Sequence, residues 1–368
     1  MVSEMSKFNR FTKGPTRRRV LKGGLAIGGG AALGAILGPE ALLSPARAES
    51  KTLTLETGTG MYADCLRTSF FEPFEKEAGI KILTSPENAD NSKFKLAVTT
   101  RHYTSDVMDV SSAFAQPPNG EKYLEPIDYS VINKADLIPD LAQTYAVALD
   151  DFAYTLGYNS EKTGGKIPTG WDDFFDLEKF PGKRGVGDSP NTILIMALLA
   201  DGVAPKDIVP LDFDRAFKKL NTIRKDLVFW ETGAQVQDLL ISGETPLTMM
   251  YANRVASAHA DGKPVGQVWN GFLVASDMRA VAKGNPNKDL AMKYLAFVLS
   301  KKINGTQTSC IALGPANIHA ETNPKWGDAY PSGHLDKPHV LLDSPTLASW
   351  LGSHYDEINN QFQQWKAS

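Results

Sequence analysis

Beyond residue 50 the chain alternates between short runs of period-two apolar positions and stretches with helical spacing. KTLTLET (51–57) predicts a strand ending in the glycine turn GTGMY. ADCLRTSFFEPFEKEAGIKILTS then predicts an amphipathic helix stopped by Gly79, followed by a second strand. SDVMDVSSAF (105–114) predicts a buried strand with a Ser-Ser end. Strand, helix, strand, helix is the order of a parallel α/β sheet, whose ligands gather at the carboxyl ends of the strands. That rule brings Thr59, Tyr62, Ser111 and Ser112 forward as candidate contacts.

YAVALDDFAYTLGYNSE (145–161) is a long β-rich run holding Tyr154 and Tyr158, and it predicts a crossing from one lobe to another. GVGDSPNTILIMALLADG (185–202) predicts a polar loop opening a buried helix, Thr192 to Ala200. PLDFDRAFKKLNTIRKDL (210–227) has the one-sided apolar spacing of a surface helix. FWETGAQVQDLLISGE predicts a strand, a turn at Thr232-Gly233 and a helix carrying Gln235. TPLTMMYANRVASAHADG predicts a strand that breaks at Tyr251 to Arg254. Residues 271–302 predict a second crossing, a turn and a long helix, leading to a Gly-Pro loop at 314–315. The last 35 residues predict surface helices pinned by Trp350, Tyr355, Phe362 and Trp365.

The first 48 residues change the picture. Thr16-Arg17-Arg18-Arg19-Val20-Leu21-Lys22 matches the twin-arginine export pattern; a Gly/Ala-rich stretch, Gly23 to Gly38, and the A-x-A site Ala46-Arg47-Ala48 follow. That stretch is shorter than the roughly 20 residues a membrane span needs. A leader cleaved near Ala48 and a periplasmic mature chain are therefore expected. Without residues 1–48 the charge moves from net −3 to 31 Lys/Arg against 40 Asp/Glu, with no basic stripe, which excludes nucleic acid as an expected partner. A mature length near 320 residues is more than one core usually holds, so two lobes are expected. Cys65 and Cys310 are the only cysteines; export to an oxidising compartment leaves open whether they pair.

Gly187-Asp188-Ser189 admits two readings. With Asp336-Lys337-Pro338-His339 as a D-x-x-H element it resembles the GDS esterases, in which Ser189 would attack an acyl carbon and His339 take its proton. Against this, Pro190 supplies no N–H for an oxyanion and no G-x-N-D block is present. The other reading makes Ser189 and Thr192 the ligand-facing or capping residues of a helix N-terminus. The six histidines include no i,i+4 pair and no H-E-x-x-H, and no phosphate-binding glycine loop follows the leader. Neither a metal nor a cofactor is expected, and the chain is read as a non-enzyme.

FPGKRGV, IMALLADGV, LDFDRAFKKLN, FWETGAQ, LLISGE and NPNKDLAMKYLAFVL together resemble the periplasmic solute-binding proteins of ABC importers, nearest the spermidine/putrescine-binding branch. The resemblance implies an α/β, two-lobed periplasmic-binding-protein type 2 fold. Each lobe would be a mostly parallel sheet flanked by helices, and two strand crossings would join the lobes. It implies residues 49–150 as the first part of lobe 1 and 151–276 as lobe 2. Residues 277–368 would complete lobe 1 and supply the C-terminal helices. The partners it implies are a small polar solute and the permease, with the protein itself a monomer.

The family's acidic positions fall on Ser189, Thr192 and Asp277, and its aromatic positions fall on Gly58, Tyr251, Ala275 and Leu313. Only Asp277 and Tyr251 keep the chemistry of a polyamine site. Arg254 adds a guanidinium suited to a carboxylate or phosphonate, so a polyamine-like ligand and a small zwitterion both stand open. A sensing role in place of transport also stands open. No Tyr-Tyr pair is present, as a ferric-ion binder of this fold would have. The expected ligand contacts are Thr59, Tyr62, Ser112, Tyr154, Ser189, Thr192, Thr232, Gln235, Tyr251, Arg254 and Asp277.

Overall fold

A computed structural model describes residues 52–86, 90–327 and 329–368. The twin-arginine segment and the A-x-A site lie outside the described residues. In the first lobe, β1 (Thr52–Glu56) leads into α1 (Met61–Leu66), a π-helical turn (Arg67–Phe71) and α2 (Glu72–Ala78). The run stops where Gly79 adopts φ 66°, a left-handed conformation that costs glycine little. Next, β2 (Lys81–Ser85) pairs in parallel with β1, and α3 (Asn91–Thr100) follows. The strand expected over 105–114 shrinks to β3 (Met108–Asp109) plus a parallel bridge from Val107 to Leu55. It ends early because Ser111 turns its hydroxyl onto the Phe114 N–H and caps α4 (Ser112–Ala115). A short α5 (Asn119–Tyr123) completes this part.

The chain then crosses on β4 (Val147–Asn159). Beyond it lie α6 (Trp171–Phe175), β5 (Arg184–Gly187), α7 (Pro190–Ala200), α8 (Phe213–Asn221), β6 (Leu227–Trp230) and α9 (Gly233–Ser242). The second lobe continues through β7 (Leu247–Tyr251) and α10 (Ala252–Ala260). Apolar side chains surround α7 on all sides, and Thr192 through Leu198 are buried, as a helix with no polar face must be. By contrast α8 buries only one stripe, including Ala216 and Leu220. The return crossing is β8 (Val265–Ala280), antiparallel to β4 along most of its length.

After the return come α11 (Lys288–Val298), α12 (Lys301–Asn304), β9 (Gly314–Pro315), β10 (His339–Leu341), α13 (Pro345–Ser353) and α14 (Tyr355–Ala367). The main sheet runs β10-β8-β4-β7-β5-β6. Within it β5 is parallel to β6 and β7, and β10 is parallel to β8, while β4 runs against both β7 and β8; the sheet is mixed for that reason.

Two large cores result. One gathers Leu53, Phe70, Phe74, Val147 and Met278 with α11. The other gathers α7, Leu156, Met249, Leu273 and the C-terminal helices. By packing, α14 belongs to the second lobe, where Trp365 stacks on Phe217 at 5.7 Å and Phe362 lies against Phe229, while α13 touches both lobes: its Trp350 meets Phe213 at 6.0 Å and its Gly352 abuts Ala113 of α4. Cys65 and Cys310 are joined by a disulfide with Cα atoms 5.9 Å apart, tying the two separate stretches of the first lobe. Among the described residues no helix is long and apolar enough to cross a membrane.

Candidate functional site

The crossing strands build the site. Because side chains alternate along a strand, Asp150, Phe152 and Tyr154 share one face of β4. The register sets Asp277 of β8 opposite Asp150, Ala275 opposite Phe152, and Tyr251 of β7 opposite Tyr154. The result is a stripe with carboxyls at the first-lobe end and rings at the second-lobe end. Tyr154 and Tyr251 have ring centroids 4.9 Å apart, Phe152 lies 5.9 Å from each, and Trp230 meets Tyr251 edge-on at 5.4 Å. Gly187 makes this wall possible: a Cβ there would stand 2.9 Å from the Trp230 ring, which is held in place by its Nε1–H donating to the Met249 carbonyl at 3.0 Å.

A groove of about 890 Å³ runs between the lobes. Ser111, Ser112 and Gln116 line it from the first lobe, and Ser189, Thr192 and Asp343 line it from the second-lobe side. It shares Tyr154 and Ser189 with a neighbouring cavity of about 320 Å³ bounded by Gly187, Trp230, Glu231 and Tyr251. The two spaces form one cleft that passes over the aromatic stripe.

At the first-lobe end Asp150 is wholly buried. Its Oδ2 accepts from the Tyr62 hydroxyl at 3.0 Å, and Tyr62 in turn accepts from Arg279 Nη2 at 2.9 Å. Arg279 also pairs with Asp109. Burial first, and the Asp277 charge second, hold the Asp150 carboxyl well above the usual carboxylate range. Burial raises Asp277 as well, opposed by its hydrogen bonds with Asp150 and Tyr62. Asp343 accepts from Ser112 Oγ at 2.8 Å and from the Ser276 N–H at 2.7 Å, yet burial still pushes it up to about 6. Asp151 points to the other face of β4, against Gly314, where only a glycine leaves it room. Among the described residues neither of its oxygens has a hydrogen-bond partner, and burial pushes it up to about 8.

The structure distributes the expected contacts unevenly. Tyr62, Ser112, Tyr154, Tyr251 and Asp277 come together along the stripe and its polar rim. Ser189 and Thr192 line the groove at the start of α7, where Ser189 makes no capping bond and Thr192 donates back to the Ser189 carbonyl at 3.0 Å. Their side chains leave the first N–H groups of α7 unclaimed. Thr232 and Gln235 are exposed and engaged with each other's surroundings. The Thr232 hydroxyl caps the Gln235 N–H, and Gln235 Oε1 accepts from the Glu231 N–H, as in a capping box. Arg254 is exposed, stands in the first turn of α10 three residues after Tyr251, and lies over Gly233, where a Cβ would come within 3.0 Å of its Nε; it lines neither space. Among the described residues no carboxylate pairs with it. Thr59 is exposed and lines neither space.

The esterase constellation is not assembled. Nδ1 of His339, the nitrogen an orienting aspartate would hold, lies 2.7 Å from the Lys337 carbonyl, and the ring packs on Phe272. Asp150, Asp343, Phe152 and Trp230 were absent from the sequence-derived set. The signal for the first was present: Asp150-Asp151 interrupts an otherwise apolar crossing strand, and a buried carboxyl there needs a reason. Among the described residues no group of three or more His, Cys, Asp or Glu could hold a metal ion.

Residues 69–331 match the family model described as bacterial extracellular solute-binding protein. The chain is 29% identical over 334 residues to a gamma-aminobutyric acid-binding protein of Pseudomonas aeruginosa, covering 89% of this chain and 94% of the relative. A putrescine/cadaverine-binding protein of the same organism is 25% identical over 185 residues, 46% of this chain and 52% of that one. A solved GABA receptor superimposes with a TM-score of 0.78 at 32% identity, covering 86% of this chain and 97% of the other.

Proposed function

The chain belongs to the bacterial extracellular solute-binding proteins, the solute-capturing subunits of ABC importers, and we propose that its solute is a short ω-amino acid of the γ-aminobutyrate class. The observation that carries this is the separation of charge along the aromatic stripe. The carboxyls of half-buried Asp277 and buried Asp150 stand at one end, and Arg254, without a carboxylate partner among the described residues, follows Tyr251 at the other. A zwitterion with its charges at opposite ends of a short chain satisfies both. The ammonium group is held at Asp277 and the carboxylate at Arg254, whose planar guanidinium suits a carboxylate. The methylenes between them lie on Phe152, Tyr154, Tyr251 and Trp230. A diamine of the same length would set its second cation against Arg254.

Closure follows from the same layout. Asp150 and Tyr62 are anchored to the first lobe and Arg254 to the second, so one ligand bridges the cleft. The closed state then gains free energy only when occupied, and that form is presented to the permease. The twin-arginine pattern and the A-x-A site support capture in the periplasm. Calorimetric titration of the mature protein with γ-aminobutyrate, putrescine and butyrate tests the proposal. Binding of γ-aminobutyrate tighter than either by tenfold or more, about 1.4 kcal/mol, is expected. Tighter binding of putrescine overturns the reading.

A further inference from the structure

We infer that Asp150 and Asp277 share one proton in the ligand-free protein, and that the ammonium group of the ligand displaces it, so that capture releases one proton to solvent. The inference rests on the assignment of the ammonium group to this end of the cleft. Its physical basis lies in the arrangement of the two carboxyls and everything that faces them.

Asp150 and Asp277 are direct cross-strand partners on the same face, within hydrogen-bonding reach of one another. Side chains at such positions have Cβ atoms roughly 5 Å apart, where like charges repel. Of the two Asp150 oxygens, Oδ2 is taken by the Tyr62 hydroxyl, while buried Oδ1 meets no donor. A proton shared with Asp277 is the donor it lacks.

The surrounding charges do not supply an alternative. From β8, Arg279 is the cation nearest the pair, and it is already paired with Asp109 of β3 and donates to Tyr62 of α1. Asp151 of β4 lies on the opposite face against Gly314. Asp343, beyond β10, is occupied by Ser112 and the Ser276 N–H and adds further negative charge. Half-buried Tyr154 of β4 and buried Tyr294 of α11 are phenols held neutral. Two carboxylates this close, one buried and the other half-buried, without a free counter-charge do not both ionise; they titrate as one pair in two separated steps. Burial and the Asp277 charge raise Asp150 accordingly.

An ammonium group brings both the missing charge and the missing donor. The singly protonated pair carries one negative charge and the ligand's amine end one positive charge. In the complex the pair carries two negative charges beside the ammonium, and the proton leaves to water, so charge balances. Tyr62 is a positioning residue here: its hydroxyl favours ionised Asp150.

Calorimetry of the mature protein with γ-aminobutyrate at neutral pH, in phosphate and in imidazole buffer, reads the proton directly. Release of about one proton per ligand is expected, with affinity rising with pH by about tenfold per unit while the free pair keeps its proton. Release near zero overturns the inference. Asp150→Asn releases no proton whatever its affinity, and Tyr62→Phe shifts the pH profile upward, which a merely structural role would not do. If γ-aminobutyrate gives no heat, the ligand assignment fails, and the pair is read without ligand by carboxyl carbon NMR of aspartate-labelled protein. One of the two carboxyls titrating far above the other, and this high step disappearing in Asp150→Asn, supports the shared proton. Both titrating together in the ordinary aspartate range refutes it.

Discussion

Replacing Arg254 with glutamine removes the charge but keeps most of the side chain's reach. The guanidinium is exposed and lies over Gly233 at the start of α9, with no carboxylate partner among the described residues. A unit charge about 4 Å from a carboxylate is worth about 4 kcal/mol at an effective dielectric near 20. Water and salt reach an exposed group, so about 1.5–3 kcal/mol is the expected remainder, typical of a charge-assisted hydrogen bond. That corresponds to a loss in affinity of about 10- to 150-fold for γ-aminobutyrate. The discriminating control is n-butylamine, which keeps the ammonium group and chain but lacks the carboxylate. Its affinity should move less than about twofold, and the unfolding midpoint should stay within about 0.5 kcal/mol of wild type. Calorimetric titration of both ligands against both proteins completes the cycle. Equal losses for the two ligands, or no loss for γ-aminobutyrate, would refute Arg254 as the carboxylate clamp.

Three further outcomes are expected. Gly187→Ala drives a methyl group toward the anchored Trp230 ring and should cost about 1–3 kcal/mol in denaturant unfolding while weakening ligand binding; an unperturbed variant would show that the wall is not tightly packed. Asp151 holds its proton in the folded state up to about 8, whereas an unfolded aspartate loses it near pH 4, so its burial destabilises the fold increasingly as pH rises through that window. The stability of Asp151→Asn relative to wild type should therefore grow by up to about 1.4 kcal/mol per unit between pH 4 and 8 and level off above, and parallel pH–stability curves would exclude this. Reducing the Cys65–Cys310 bond opens a loop of 245 residues, for which chain entropy sets a ceiling of about 5 kcal/mol. Because an unfolded chain is more compact than a random coil, the measured loss on chemical unfolding should fall below that ceiling; no loss at all would mean the bond constrains nothing in the unfolded chain.

Local pattern was enough to predict both crossings, the fully apolar α7 and the one-sided α8, since each is a matter of side-chain period over a dozen residues. It also brought forward Tyr154 on the first crossing and Tyr251 and Arg254 at a strand end, whereas Asp277 came from the family resemblance. Ser111 was misread as the end of a strand because a hydroxyl after apolar residues suits a strand end and a helix cap equally, and only the Phe114 N–H distinguishes them. The C-terminal helices showed their amphipathic faces in sequence, but not which core would receive Trp350, Phe362 and Trp365.

The pairing of Asp150 with Asp277 lay beyond sequence reading altogether. Two irregularities in the β4–β8 register, between Ala148 and Asp150 and between Tyr154 and Leu156, help decide which residues stand opposite. A slip of one position would turn Asp277 to the other face. Sequence sets the period of each element because propensity and amphipathicity act over neighbouring residues. Which carboxyl meets which, and which ring closes the wall, is set by packing between segments far apart in the chain.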